Sequence, residues 1–183
     1  MRWAKMASMK NFATTIALVL AAAGAVQAQN PLSAELKRFY EGSKDNLTRS
    51  AELMPEADYG FKPAPTVRTF GEEVAHSAEY QMVFCGRAKG ETPANPAAGK
   101  TSKAELIAAL KASSEYCDAI YDSMTDAMLP QMVTMNGRSF SKQGALYLNV
   151  IHNNETYGTM VPYIRIKNLV PPSSQPRPAG KKQ

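Results

Sequence analysis

Four stretches of this chain repeat apolar residues at spacings of three and four, with prolines at or near their ends. That period is one buried face of a helix. Leu36, Phe39, Ser43, Leu47, Ala51 and Met54 predict a first helix from about Leu32 to Met54, entered through Pro31 and ended by Pro55. Pro63 and Pro65 make the next segment an extended connection. Thr69 then stands three residues before Glu72, the capping-box spacing, and predicts a second helix. Phe70, Val74, Ala78, Met82 and Cys85 form one stripe of it, beside a second stripe of His76, Tyr80, Val83 and Phe84. Thr101 or Ser102 caps a third helix, in which Ile107, Leu110, Ser114, Cys117, Tyr121 and Met124 share a face. Around Asn136-Gly137 the chain forms a small hairpin or a loop. A fourth helix is expected from about Ser141 to Lys167, with Ala145, Leu148, His152, Thr156, Thr159 and Tyr163 on one face and a kink or break at Pro162. The fold class is therefore all-α, a four-helix bundle over residues 29–170. Residues 171–183 carry Pro, Ser, Lys and Arg and little to bury, and are expected as a flexible tail.

Connection length bears on topology. Gly90 to Lys100 is long for a helical hairpin. Extended, it reaches roughly 36 Å, enough to run back along a 20-residue helix of about 30 Å. Helices two and three can then lie parallel, with Cys85 and Cys117 at one height and within reach of a disulfide. In an antiparallel pair they would be too far apart to bridge. Two buried free thiols are the alternative.

Residues 1–28 are expected to be a secretory signal peptide. Arg2, Lys5 and Lys10 precede an apolar run from Phe12 to Ala25, and Val26-Gln27-Ala28 presents small residues at the −3 and −1 positions of a cleavage site. The run is short for a membrane span, and no later segment is apolar enough, so no stable span is expected after cleavage. The expected location is exported, periplasmic or secreted. Cleavage removes three basic residues and no acidic one, leaving 18 Lys and Arg against 16 Asp and Glu, a net charge of +2 rather than +5. The basic residues of the interior alternate with acidic ones, so no nucleic-acid face is expected. A small molecule is the expected partner, and the mature chain a monomer or a homodimer.

Chemistry has few places to sit. The chain has two histidines, His76 and His152, both in helical patterns. Cys85 and Cys117 make no Cys-x-x-Cys motif, and no Gly-rich phosphate loop or nucleophile motif is present. The methionines, seven of ten beyond the signal, form no clusters with histidine and read as core filling.

Several runs together resemble one family. They are Met54-Pro55-Glu56-Ala57-Asp58-Tyr59-Gly60-Phe61-Lys62-Pro63, Val67-Arg68-Thr69-Phe70-Gly71, Ala75-His76, Asn136-Gly137-Arg138, His152-Asn153-Asn154-Glu155, Tyr157-Gly158, Tyr163-Ile164-Arg165 and Pro171-Pro172-Ser173-Ser174. This pattern resembles the DinB-like superfamily of small four-helix proteins. The resemblance implies up-down-down-up topology and a divalent metal, nickel or zinc, held by three histidines. His76 matches the first ligand and His152 the second, while the third position is Thr156. It also implies a metal-dependent enzyme of transferase or hydrolase type.

A threonine hydroxyl is a poor ligand for nickel or zinc. Glu79, three residues after His76, is a possible substitute oxygen donor. Glu155 is another, although it points about 100° away from Thr156 around the helix. The alternatives are an exported, non-catalytic bundle that binds a small molecule or a metal, and an inactive family member. In the inactive form His76, His152, Thr156 and Tyr80 make a polar network, with Thr156 bonded to a carbonyl one turn back.

Overall fold

Pro31 opens helix α1 (Pro31–Leu53), and Pro55 lies just beyond its end. The computed structural model describes residues 30–135 and 137–176. Residues 1–28, expected as a signal peptide, and 177–183 of the expected tail lie outside them. Helix α2 (Phe70–Lys89) starts at the predicted capping box: Thr69 Oγ1 accepts from Glu72 N at 3.2 Å, and Glu72 accepts from Thr69 N at 2.6 Å. Ser102, rather than Thr101, caps α3 (Lys103–Ser123) in the same manner with Glu105. On either side of the Asn-Gly segment the chain forms two strands, β1 (Met132–Met135) and β2 (Arg138–Ser141), paired antiparallel from Met132↔Ser141 to Met135↔Arg138. The chain is thus mostly helical, with the four expected helices, and β1 and β2 add one small two-stranded sheet to them. Ser141 then caps α4 (Lys142–Ile166) by accepting from Gly144 N.

Pro162 does not break α4, which runs unbroken past it to Ile166. Proline there cannot donate to the carbonyl of Gly158. Both residues are exposed, so water can serve the freed carbonyl. The first-helix stripe also needs correction. Tyr40, fully buried, takes the core position between Leu36 and Ser43, and Phe39 is 46% exposed.

The core is two apolar clusters. One holds Leu47, Met54, Phe70, Val74, Leu106, Leu110, Met160 and Ile164. The other holds Leu36, Tyr40, Cys85, Cys117, Ile120, Tyr121, Leu146 and Val150. Helices α1 and α4 run from the second cluster to the first, and α2 and α3 from the first to the second. That is the up-down-down-up order. A Cys85–Cys117 disulfide ties the parallel pair α2 and α3, with the Cα atoms 5.4 Å apart.

The long connection between α2 and α3 leaves through Gly90, whose φ of +85° is the left-handed cap that glycine adopts without strain. It then turns back over Gly86. A Cβ on Gly86 would overlap Pro93 Cδ and come within 2.9 Å of Glu91 O. Gly86→Ala is therefore expected to cost about 1–3 kcal/mol in a urea melt, the usual range for overpacking. The exposed Gly42 on α1, where an added Cβ would meet nothing within 4 Å, is expected to accept alanine without loss.

The expectation of a flexible tail from Pro171 is corrected for residues 171–176. Pro171 and Pro172 are buried, and Pro172–Ser174 forms a 3-10 turn. Tyr157 Oη donates to Ser173 Oγ at 2.6 Å and accepts from Ser173 N at 2.9 Å. Arg165 donates to Ser174 Oγ, and Arg49 to Gln175 Oε1. Two buried prolines and these bonds return what a polar composition taken alone does not promise.

Candidate functional site

The connection between α1 and α2 is pinned at several points, which gives one wall of a cavity its shape. Tyr59 Oη donates to Ala51 O at 2.6 Å, and Gly71 N donates to Tyr59 O at 2.8 Å. Lys167 pairs with Asp58 at 2.7 Å. Tyr163 Oη, from the end of α4, donates to Arg68 O at 2.7 Å and so sets the residue just before the α2 cap. Between this connection and α2 lies a cavity of about 600 Å³. Lys62, Thr66 and Arg68 line one side, and Glu72, His76, Glu79 and Tyr80 the other.

Helix α4 brings His152 up behind His76. The two Nε2 atoms are 3.0 Å apart, a hydrogen bond in which one ring donates and the other accepts. Tyr80 lies one turn after His76 and stacks on His152, with centroids 4.6 Å apart and planes 17° from parallel. Phe84, a further turn along, contacts the same imidazole at 5.5 Å. His152 thus packs against two α2 aromatics, and His76 is the member of the pair that reaches the cavity.

Both imidazoles are kept neutral. Burial pushes His76 down to about 4, helped by the Arg68 guanidinium and by His152. Burial also lowers His152; Glu155 works against that shift and Arg68 with it. A shared Nε2–H···Nε2 bond needs at least one unprotonated ring, because two imidazolium rings would present two donors to each other, and a neutral pair meets that need. The sign of the pH effect follows. The unfolded chain takes up the His76 proton near 6.5, and the folded chain not until about 4. Stability is complete above pH 6.5, falls between 6.5 and 4, and levels off below. The loss from His76 is expected to be on the order of 1–2 kcal/mol once solvent screening at this half-buried ring is allowed for. Urea melts of the wild type and of His76→Gln across that window check it, since the variant should lack this part of the slope.

The other candidate positions fall as follows. Thr156 is buried, and its Oγ1 donates to His152 O at 2.9 Å, one turn back. Glu155 is exposed and acts on His152 only through its charge. Glu79 lines the cavity. Among the described residues no group of three or more His, Cys, Asp or Glu is arranged to hold a metal ion. Neither Glu79 nor Glu155 therefore completes a set with the histidines. Glu79 projects to the cavity from the turn after His76, and Glu155 from the solvent side of α4. The two Nε2 atoms fit two positions on one ion, since two ligands at about 2.0–2.1 Å in a tetrahedron stand about 3.3 Å apart. The donor set does not fit a centre of three protein ligands.

Arg68 and Lys62 are cavity residues that helical periodicity cannot find, because they lie in an extended, proline-flanked segment. The only signal for Arg68 is its place just before a capped helix that carries a histidine. Arg68 also reaches the buried Glu73 carboxylate at 3.6 Å, whose proton affinity burial has raised.

Residues 40–160 match the DinB superfamily. The chain belongs to this superfamily. Its fold is similar to that of a DinB-like protein from Bacillus subtilis, at 21% identity and a TM-score of 0.65, over 79% of this chain and 99% of that one. A DinB-like protein from Bacillus cereus is similar at 19% identity and a TM-score of 0.63, over 75% and 93% of the two chains. A mycothiol-dependent maleylpyruvate isomerase shares the fold at 15% identity and a TM-score of 0.55, over 70% of this chain and 59% of that one. No curated protein matches. For the DinB bundle described here, the match covers His76, His152 and Thr156 together, and the isomerase places an enzyme among the proteins of this fold.

Proposed function

We propose that this DinB-family chain is exported and binds a small polar molecule in the cavity before His76, with no complete metal centre of its own. The observation that carries this reading is the neutral His76–His152 pair, hydrogen-bonded at 3.0 Å behind a cavity of about 600 Å³. Arg68, Lys62 and Glu79 supply charges of both signs at the walls, and Tyr80 supplies an aromatic face. The commitment of Thr156 to a backbone carbonyl supports it, because that hydroxyl spends its proton within α4. Export is supported by the basic, apolar and small-residue order of residues 1–28, and no helix among the described residues is long and apolar enough to cross a membrane.

A second reading is a metal-dependent enzyme of transferase or hydrolase type. It is favoured by the convergence of two Nε2 atoms on one point. There His76 and His152 would hold nickel or zinc, and the ion would supply a Lewis acid with several open positions.

One experiment separates the two. The mature chain, without a histidine tag, is loaded with nickel or zinc, dialysed and measured for bound metal. The binding-protein reading expects metal lost on dialysis and weak binding abolished by His152→Ala. Stoichiometric metal that survives dialysis favours the enzyme reading. The same secreted sample tests export: intact mass is expected to place the N-terminus at Gln29, and recovery of the full chain only from the cell interior would count against it.

A further inference from the structure

The interior holds a second polar feature that the cavity does not use. Each helix passes from one apolar cluster to the other through a polar residue. In α1 it is Ser43, between Tyr40 and Leu47; in α2 it is Gln81, between Ala78 and Cys85. In α3 it is Ser113 and Ser114, between Leu110 and Cys117; in α4 it is Asn153, between Val150 and Tyr157, with Asn149 one turn earlier. Gln81, Ser113, Asn149 and Asn153 are wholly buried. The layer therefore crosses the bundle between the two clusters, with Asn149 reaching one turn into the second, and no charged residue belongs to it.

The amide nitrogens of this layer are bonded inside the protein. Gln81 Nε2 donates to Ser113 Oγ at 3.3 Å, Asn149 Nδ2 to Tyr121 Oη at 3.3 Å, and Asn153 Nδ2 to Ser43 Oγ at 3.4 Å. The amide oxygens and one serine hydroxyl are not. Gln81 Oε1, Asn149 Oδ1, Asn153 Oδ1 and Ser114 Oγ are buried without a protein partner. Turning an amide over exchanges which of its atoms is left, but still leaves one. A fifth unpaired atom adjoins them in sequence: His152 Nδ1, on α4 between Asn149 and Asn153. It is shut off from solvent, so whatever meets it comes from within the bundle.

Native interiors pair nine in ten such groups or more, and a bare buried amide costs more than a long hydrogen bond returns. The missing partner must come from outside the chain. A cation would satisfy the oxygens but would have no counter-charge here, and an unpaired buried ion is the more expensive solution. Water can donate to the amide oxygens and accept from an imidazole N–H. Five atoms, at about three hydrogen bonds per buried water, ask for about two waters.

We propose that this layer binds a small cluster of long-lived internal waters, and that the cluster accepts the Nδ1–H of His152. His152 Nε2 is then the acceptor in the bond between the rings, and His76 Nε2–H is the donor. A lone pair is left on His76 Nδ1, the one nitrogen of the pair committed neither to the other ring nor to the core. Gln81, Asn149 and Asn153 are positioning residues, acting on the site through His152. The inference is independent of what occupies the cavity.

Two measurements on metal-free protein at neutral pH test it. Oxygen-17 magnetic relaxation dispersion of the solvent counts long-lived waters, and long-range ¹H–¹⁵N spectra report which imidazole nitrogens carry protons. The wild type is expected to hold about two such waters or more, with His152 protonated at Nδ1 and His76 at Nε2. The near-isosteric Gln81→Met and Asn149→Leu are each expected to lower the dispersion amplitude and mix the His152 tautomers. A wild type with no dispersion beyond the surface background, or with His152 protonated at Nε2, overturns the proposal without recourse to any variant. So does a folded variant with unchanged amplitude and unchanged tautomers.

Discussion

Thr156→His is expected to tighten nickel and zinc binding about a hundredfold, or ~2.8 kcal/mol. The His76 and His152 Nε2 atoms already stand 3.0 Å apart, so a few tenths of an ångström of opening brings both onto one ion. Position 156 is one turn after His152, and residues four apart on a helix stack on the same face. A third imidazole there changes a weak two-ligand site into a set with an open position. The substitution also breaks the bond from Thr156 Oγ1 to His152 O and adds volume at a buried position, so some stability is lost. Thr156→Val separates the two effects: it removes the hydroxyl without adding a ligand, and metal affinity should stay as weak as in the wild type. Calorimetric titration of untagged protein measures all three. If folded Thr156→His binds no more tightly, position 156 does not face the pair, and the family's ligand register does not carry to this chain.

The features that local chemistry controls were the readable ones. Thr69-x-x-Glu72 marks the start of α2 because the box satisfies two otherwise orphaned donors, and it forms in the structure. Ser141 works alike for α4. Topology could be argued from the Gly90–Lys100 connection because chain reach is a length, and the two core clusters run through the helices in the order it allows.

Helix faces were less readable where burial is polar. In α4 the buried face takes in Asn149 and Asn153, both wholly buried, beside the expected Thr156, whereas the expected face passes through Leu148 and the exposed Thr159. Asparagine and glutamine belong outside on hydropathy alone. Only the other helices, each with its own polar residue at that level, make burial tolerable. The site divides in the same way. His76 and His152 were identifiable as the only two histidines, and their approach follows from the fold. Lys62 and Arg68 were not, because nothing in an extended connection says which side chains turn inward until Tyr163 fixes the Arg68 carbonyl.

The Cys85–Cys117 bond supports the other large expected effect. It joins residues 32 apart, from one buried helix face to another. Closing a loop of that length removes unfolded-state entropy worth about 3–4 kcal/mol. The double variant Cys85→Ala/Cys117→Ala is expected to lose about that much in a denaturant melt, and about 10 °C in Tm for a chain of this size. Reduction of the wild type should give a similar loss, whereas reductant should leave the double variant unmoved. Because the bridge holds α2 against α3, while the histidine pair joins α2 to α4, loosening it should also free α2 to shift under His152. The His76 and His152 ring signals are then expected to broaden in the double variant at temperatures where its helices remain intact. A double variant as stable as the oxidised protein, with unchanged ring signals, would mean that packing by α1 and α4 alone sets the register of α2.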